Sequence, residues 1–232
     1  MKTIRILSGG AAQGLVEALQ PAFEAGTGCR IDGVFGAVGA MKSRLLAGEP
    51  VDILILSRAL IDGLARDGHV VAQSAKDIGA VQTAIAVRSG DPLPAVGSAA
   101  ELRAALLAAD AIHFPDPEQS TAGIHFAKVL RDLGIRDAIA PRLRPAPNGA
   151  TAMRALAASK SRRPLGCTQV TEIIATPGIV LAAPLPPPGC DLATVYSCAI
   201  AAKAGAPVEA AAFMAMLSGD PGRDSRRQLG FV

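Results

Sequence analysis

The feature that most constrains this chain is the regular alternation of short apolar runs with segments of helical periodicity. The intervening segments repeat apolar residues every three to four positions, which is typical of amphipathic helices. Such alternation predicts an α/β protein with parallel sheets covered by helices on both faces. Strands are predicted at residues 3–7, 30–35, 51–56, 81–87, 111–114, 180–183 and 193–202, and helices at 40–47, 59–67, 99–108, 121–133, 150–158, 170–176 and 208–217. A further helix follows the first strand, with Pro21 inside it, and is predicted to end at Gly26 to Gly28.

Composition narrows the function classes. Aromatic residues make up only 3% of the 232 residues, and the formal net charge is only +3, so we expect no nucleic-acid partner. No apolar run reaches the length of a membrane span, so we expect no membrane insertion. The four cysteines form no C-x-x-C pair and have no histidine at ligand spacing. We therefore expect free thiols, no metal and no cofactor.

The amino-terminal segment "MKTIRILSGG" reads directly as a first strand. It lacks the apolar run and the small-residue cleavage site of a secretory signal. The sequence as it stands therefore predicts a cytoplasmic protein, or a periplasmic one if a leader has been removed.

The first strand runs into the glycine-rich turn "SGGAAQG" and then into a helix. Ala11 stands where the dinucleotide fingerprint needs glycine, and no G-K-[ST] follows Gly14, so neither a Rossmann motif nor a phosphate loop is present. What remains is a general anion-binding device. Backbone N–H groups lie at the positive end of a helix dipole, and the Ser8 hydroxyl is an additional donor.

Similar turns recur along the chain. They occur in "FGAVGAMKS", "FPDPEQSTAG", "APNGATAMR" and "GCTQVTE", each leading into a predicted helix, with Asn148 as an N-cap. Since ligands of α/β proteins bind beyond the carboxyl ends of strands, these turns predict convergence on a small anion.

The run "GAVGAMKSRLLAGEPVDILILSRALIDGLARDGHV" resembles the molybdate-binding substrate-binding proteins of ABC importers, and the likeness extends to the terminal "QLGFV". The resemblance implies a two-lobed type II periplasmic-binding-protein-like fold with two hinge crossings, near residues 84–87 and 195–199. Lobe 1 would comprise residues 1–83 plus 200–232, and lobe 2 residues 84–199. The ligand would lie in the cleft between the lobes, which would close on it, and an ABC permease would be the partner.

The resemblance also implies the ligand-binding residues. Val38 stands where the family has a second serine, so a tetrahedral oxyanion would lose a charge-assisted hydrogen bond of roughly 1.5 to 3 kcal/mol. A small carboxylate would tolerate Val38 and could use Lys42, Arg154 or Gln169 at its ends. The implied ligand-binding residues are Ser8, Gly9, Gly10, Ala37, Val38, Ser120, Thr121, Ala122, Asn148, Gly149, Thr168 and Gln169.

An enzyme remains the alternative. Aconitate isomerase is similar to this binding-protein family, and an intracellular isomerase of a small unsaturated carboxylic acid would need a group that moves a proton. His113, at a predicted strand end facing the cleft, and His125 could carry it. Both histidines could equally pack in the protein interior. No G-x-S-x-G elbow is present, so a hydrolase triad is excluded.

Overall fold

The computed structural model describes residues 2–232. The chain divides into two compact units: unit 1 comprises residues 2–81 and 194–232, and unit 2 is Gln82–Ala193. It passes from unit 1 to unit 2 within the strand Lys76–Arg88 and returns at the start of the strand Ala193–Ile200. The boundaries expected from the sequence, 83/84 and 199/200, lie within the same two strands.

Unit 1 has a four-stranded sheet of order β2-β1-β3-β9. Its strands are β1 (Thr3–Gly9), β2 (Arg30–Gly36), β3 (Ile53–Ser57) and β9 (Ala193–Ile200). β1 pairs in parallel with β2 and β3, whereas β9 is antiparallel to β3. Its helices are α1 (Gln13–Thr27), α2 (Val38–Leu46), α3 (Arg58–Arg66), α9 (Pro207–Ser218) and α10 (Arg223–Gln228). Short 3-10 turns lie at Gly10–Ala12, Ala72–Ser74 and Asp220–Gly222.

Helix α1 illustrates the local determinants. Leu15, Leu19 and Phe23 are buried along one stripe, and the Phe23 ring packs edge-on against Phe213 of α9, with centroids 4.9 Å apart. The helix continues through Pro21 and ends at Gly28, whose φ of 68° is the left-handed conformation that glycine adopts without strain. The predicted end of this helix is confirmed.

Unit 2 has a sheet of order β4-β7-β5-β6, and β8 pairs with β4. Its strands are β4 (Lys76–Arg88), which begins in unit 1, β5 (Ala111–Pro115), β6 (Leu143–Ala146), β7 (Pro164–Gln169) and β8 (Ile179–Pro184). β5 is parallel to β6 and β7, and β4 is antiparallel to β7 and β8. Its helices are α4 (Ala99–Ala108), α5 (Thr121–Asp132), α6 (Arg136–Ile139), α7 (Gly149–Ala157) and α8 (Val170–Ile174), with a 3-10 turn at Ala140–Arg142.

One apolar cluster organises unit 2. Phe114 of β5 and Phe126 of α5 are its aromatic centre, with ring centroids 5.4 Å apart. Ile85 of β4 and Cys167 of β7 lie in the same cluster. Because alternate residues of a strand point to the same face, α5 covers the face that carries these side chains.

The α/β class is confirmed, but two local expectations are corrected. The sheets are mixed, because β4 and β9 enter without a crossover helix and run antiparallel to their neighbours β7 and β3. Strand β6 was not predicted: it contains Pro145, which is tolerated because β6 is an edge strand.

None of the helices formed by the described residues combines the length and the apolar character that crossing a bilayer requires.

Candidate functional site

In unit 1, three parallel strands end at one edge of the sheet, and each leads at once into a helical segment. Gly9 ends β1, Gly36 ends β2 and Ser57 ends β3. The first N–H groups of the turn before α1, of α2 and of α3 therefore emerge at this edge without an intrahelical partner. Such N–H groups, at the positive ends of helix dipoles, form a site for anions.

The N-cap residues leave these donors available. Gly9, Ala37 and Ser57 are the three N-caps, and within residues 2–232 none of them makes a side-chain cap hydrogen bond. Gly9 and Ala37 have no side chain that could make one. The buried Ser8 hydroxyl donates its proton to the Gly9 carbonyl at 2.9 Å. The structure therefore brings the residues expected in the first two turns to one edge, where the backbone supplies most of the donors.

The turn after β1 is closely packed. A Cβ atom at Gly9 would lie 2.8 Å from Val38 Cγ1 and 3.1 Å from Tyr196 Cε1. Val38 and Tyr196 are both buried, so the turn backbone lies between an aliphatic and an aromatic side chain. A larger residue at position 9 would force Val38 or the turn to shift, and the side of the site formed by Val38 is apolar.

A cation lies at the start of α3. Arg58 is the first residue of this helix and donates to Asp62 at 2.8 Å and to Asp77 at 2.8 and 3.0 Å. Asp77 also accepts from Ser197 Oγ at 2.6 Å. Partial burial raises the pKa of Asp77, but the Ser197 hydroxyl and the Arg58 guanidinium outweigh it and hold that pKa below its usual value. Lys42, the cation expected from the sequence, lies half-buried on α2.

Among the longer helices of unit 2, α5 has a comparable start. Its N-cap is Ser120, which makes no side-chain cap hydrogen bond to any described residue. The Asp116 carboxylate accepts two backbone N–H groups of the preceding turn, at 2.7 and 2.9 Å, and so shapes the turn. A Cβ at Gly123 would overlap the carbonyl oxygen of Asp116, so the first turn of the helix lies directly against that loop. Thr121 and Ala122 supply the first N–H groups of α5.

The starts of α7 and α8 both contribute backbone donors to one carboxylate, that of Glu172. Glu172, in the first turn of α8, is only 7% exposed. Its Oε2 accepts from Thr168 Oγ1 at 2.5 Å. The backbone N–H groups of Gln169, Ala150 and Gly149 also donate to this carboxylate. One acidic side chain therefore accepts the first two N–H groups of α7 and the N–H group of Gln169, the N-cap of α8.

This arrangement changes how the expected residues of α7 are understood. Asn148 is the N-cap, as predicted, and its Oδ1 accepts from Thr151 N at 2.9 Å. A Cβ at Gly149 would overlap both Glu172 Oε2 and Thr168 Oγ1, which only glycine avoids. Burial raises the pKa of Glu172, and the donors around its carboxylate lower the pKa in part. A ligand-binding role of Asn148, Gly149 and Thr168 stays a prediction, and the structure shows that each of them already has a protein partner.

His113 lies two residues inside β5, not at the strand end, because β5 continues to Pro115. It pairs in register with Arg144 and Gly166 and is 8% exposed. Burial, followed by the charge of Arg144, lowers its pKa. Among the residues that the structure describes, its Nε2 has no hydrogen-bond partner, and the same holds for the hydroxyls of Thr83 and Thr171.

The other two expected side chains have partners. His125 Nε2 lies 2.7 Å from the Cys190 carbonyl oxygen and therefore donates to it. Arg154, exposed on α7, donates to Thr151 Oγ1 at 3.0 Å. Their predicted contacts with a proton or a ligand stay predictions.

No group of three His, Cys, Asp or Glu side chains that could hold a metal ion occurs in the described part of the chain. The buried thiols are free, and none of the histidines discussed above approaches them as a ligand pair. The free cysteines are Cys29, Cys167, Cys190 and Cys198.

Sequence reasoning missed four residues of these edges: Ser57, Arg58, Tyr196 and Glu172. Glu172 had a partial signal, because it follows the predicted turn by three residues, the spacing at which a Glu side chain can accept the N-cap N–H. Ser57 also follows a predicted strand and precedes a predicted helix. Tyr196 and Arg58 had no such signal, since strand pairing alone places Tyr196 opposite Ser57.

Two α/β units joined by two chain crossings, with helix starts gathered at a sheet edge, define a solute-binding protein of the periplasmic-binding type. Residues 4–232 match the family of bacterial extracellular solute-binding proteins, and the chain belongs to this family. The resemblance stated from the sequence is thereby confirmed at the level of family and fold.

Relatives and solved structures agree with this assignment. The chain is 29% identical over 225 residues to an aconitate isomerase from Pseudomonas sp., covering 93% of this chain and 82% of the relative. It superposes on the periplasmic molybdate-binding protein of Azotobacter vinelandii with a TM-score of 0.81 at 17% identity, covering 99% and 98% of the two chains. The sulfate-binding protein SubI from Mycobacterium tuberculosis H37Rv gives a TM-score of 0.79 at 18% identity, covering 100% and 86%.

Proposed function

We propose that this protein binds a small anion as the solute-binding protein of an ABC importer, and that the anion is a small carboxylate. The observation that carries this proposal is the edge of unit 1, where three helix starts without side-chain caps gather at neighbouring strand ends. Anion binding is what such an edge does chemically. The start of α5 in unit 2 is a further source of donors.

The preference for a carboxylate rests on Val38. Its side chain packs against the Gly9 turn, so this part of the edge offers a tetrahedral oxyanion no hydroxyl. A carboxylate has two acceptor oxygens, and its carbon frame can contact Val38 without leaving an oxygen unpaired. Arg58 offers guanidinium N–H donors near the same edge, although its charge is compensated by Asp62 and Asp77.

The test is a calorimetric titration with acetate, citrate, cis-aconitate, sulfate, phosphate and molybdate. We expect at least one carboxylate to bind and to raise the melting temperature by mass action. Val38→Ser should raise molybdate affinity by one to two orders of magnitude, because it adds a charge-assisted hydrogen bond. Val38→Thr adds the same hydroxyl to a side chain closer in shape to valine, so it is the matched variant for Val38→Ser. The proposal fails if none of these anions binds to the wild type.

A second function is favoured by the 29% identical relative, which is an aconitate isomerase. Such an enzyme moves a proton between carbon atoms, and His113 and His125 are the expected carriers. The structure leaves His113 Nε2 without a partner within residues 2–232. Incubation with cis-aconitate, followed by proton NMR in deuterated water, would reveal interconversion and isotope exchange. Turnover that is lost in His113→Gln would establish the isomerase, whereas tight binding without turnover would exclude it.

We propose further that the protein acts outside the cytoplasm and delivers its ligand to an ABC permease. The family is one of extracellular proteins, which supports this location. Fractionation of the source cells, with detection by antibody, tests it. Recovery from the cytoplasmic fraction alone would contradict this proposal and favour the isomerase.

A further inference from the structure

Glu172 of α8 is a buried acidic residue whose partners are all neutral hydrogen-bond donors. It is a nearly fully buried carboxylate, and no cation is among the groups that contact it. Its partners are donors only: the Thr168 hydroxyl and the backbone N–H groups of Gly149, Ala150 and Gln169. An ionised carboxylate has about four acceptor positions, so four donors match its charged form.

These donors are the ones that a bound anion would use. The side chain of the N-cap residue Asn148 accepts the N–H of Thr151, the third residue of α7. The first two N–H groups of the helix are therefore available to another acceptor. Glu172 accepts both of these, from Gly149 and Ala150. The carboxylate therefore lies where an external oxyanion would lie on α7.

The backbone is shaped to admit this carboxylate. A Cβ atom at position 149 would overlap Glu172 Oε2, so the glycine allows the acidic group to reach the helix axis. Thr168, the last residue but one of β7, supplies the hydroxyl from the side of the sheet. Donors from the end of β7 and from the start of α7, about twenty residues earlier in the chain, thus converge on one acidic group.

We propose that Glu172 is a built-in anion that occupies the amino terminus of α7 and thereby determines which anions unit 2 accepts. The second half of this statement rests on the function proposed above. Among the unit 2 helices of nine or more residues, α4 and α7 have side-chain caps, from Ser98 and Asn148, so α5 is the one that starts without a side-chain cap, as far as the described residues show. Unit 2 then favours a ligand that presents a single carboxylate to it. A tetrahedral dianion is disfavoured, because its oxygens would need donors from several helix starts.

The first experiment tests occupancy by chemical rescue. Glu172→Ala removes the carboxylate and leaves four converging donors around a cavity of carboxylate size. We expect the variant to be less stable than the wild type, and formate to raise its melting temperature in a concentration-dependent way by at least 5 °C more than it raises that of the wild type. Equal formate responses of the two proteins would overturn the proposal.

The second experiment tests selectivity. In Glu172→Ala, the ratio of sulfate affinity to acetate affinity should rise at least tenfold, because the amino terminus of α7 becomes available to a second anionic group. Glu172→Asp, which keeps the charge, should retain the wild-type ratio. If Glu172→Ala does not fold, Glu172→Gln serves in its place, since it keeps the side-chain volume and loses the charge.

Asp52→Ala is the matched control. Asp52 is also buried, and its carboxylate accepts the N–H groups of Arg5, Gly205 and Ala206. It lies just before the start of β3, at the opposite end from the donor edge, so its loss should reduce stability without changing the anion ratio. An equal change of the ratio in both variants would overturn the proposal. Formate rescue of Glu172→Ala in a protein that binds none of the titrated anions would support the built-in anion and refute the proposed function.

Discussion

The two units use the same device, a helix that starts at a strand end, in different ways. In unit 1 the segments that follow β1, β2 and β3 start without a side-chain cap, as far as residues 2–232 show. In unit 2 the starts of α7 and α8 share the carboxylate of Glu172. The same N–H groups that can bind a ligand can also be satisfied within the protein, so a helix start indicates an anion site only when its acceptors are known.

The two units also differ in how their buried polar groups are hydrogen-bonded. Asp52 of unit 1 is buried with three N–H groups on its carboxylate. The three buried polar atoms without a partner among the described residues are all in unit 2, on Thr83, His113 and Thr171. Unit 2 therefore contains the groups whose burial is least compensated, and we expect its stability to respond more strongly to substitution and pH.

Gly149→Ala should produce the largest effect, because it separates Glu172 from its donors. The new Cβ would overlap the carboxylate, and we expect a loss of about 3 kcal/mol in the free energy of unfolding, measured by urea denaturation. Gly26→Ala is the control: a Cβ there meets no atom within 4 Å, so a gain of about 0.5 to 1 kcal/mol is expected. A Gly149→Ala protein within 1 kcal/mol of the wild type would contradict the role given to this carboxylate.

Gly9→Ala is the counterpart in unit 1, where ligand binding should suffer more than stability. The Cβ would lie 2.8 Å from Val38 Cγ1, so the turn must shift and its N–H groups lose alignment. We expect about 1 to 2 kcal/mol of destabilisation and at least a tenfold fall in anion affinity, measured by urea titration and calorimetry. The double variant Gly9→Ala with Val38→Ala should recover part of the lost stability and part of the lost affinity. Unchanged anion affinity in Gly9→Ala would argue against this edge as the anion site.

His113, in unit 2, should make the stability of the protein depend on pH. Burial lowers its pKa below the ordinary value of 6.5, so the folded protein resists the proton that the unfolded chain accepts. Stability should therefore fall as the pH drops below about 6.5, by at most about 1.4 kcal/mol per pH unit from this group. His113→Leu should abolish that part of the slope between pH 7 and pH 5, whereas His69→Gln, at an exposed position of unit 1, should keep it. Equal slopes in wild type and His113→Leu would refute this assignment.

Arg58→Gln should have the smallest effect. Its ion pairs are exposed, so stability should change by less than about 1 kcal/mol. Anion affinity should fall about threefold to fivefold at low salt, with the difference shrinking at high salt because of screening. Lys128→Gln removes a similarly exposed ion pair on α5 and should leave the affinity unchanged. A salt-independent loss in Arg58→Gln would indicate a packing effect instead.

Much of the fold could be predicted because its signals are local. The periodicity of 13–27, the left-handed Gly28 and the N-cap Asn148 each act within a few residues. Strand β6 could not be predicted, since "LRPA" owes its strand conformation to pairing with β5. His113 was placed at a strand end for a related reason: local sequence does not show how far a strand continues beside its neighbours.

By itself, the sequence determined the order of most strands and helices, most of the turns that start helices and the apolar Val38 that follows the second strand. Only the tertiary structure decided which of those helix starts remain open, because that depends on acceptors from segments far away in the chain. Glu172 reaches Gly149 across a strand and a helix start, and Tyr196 reaches Gly9 from the other end of the chain. Pairing register and packing set such contacts, whereas local propensity does not.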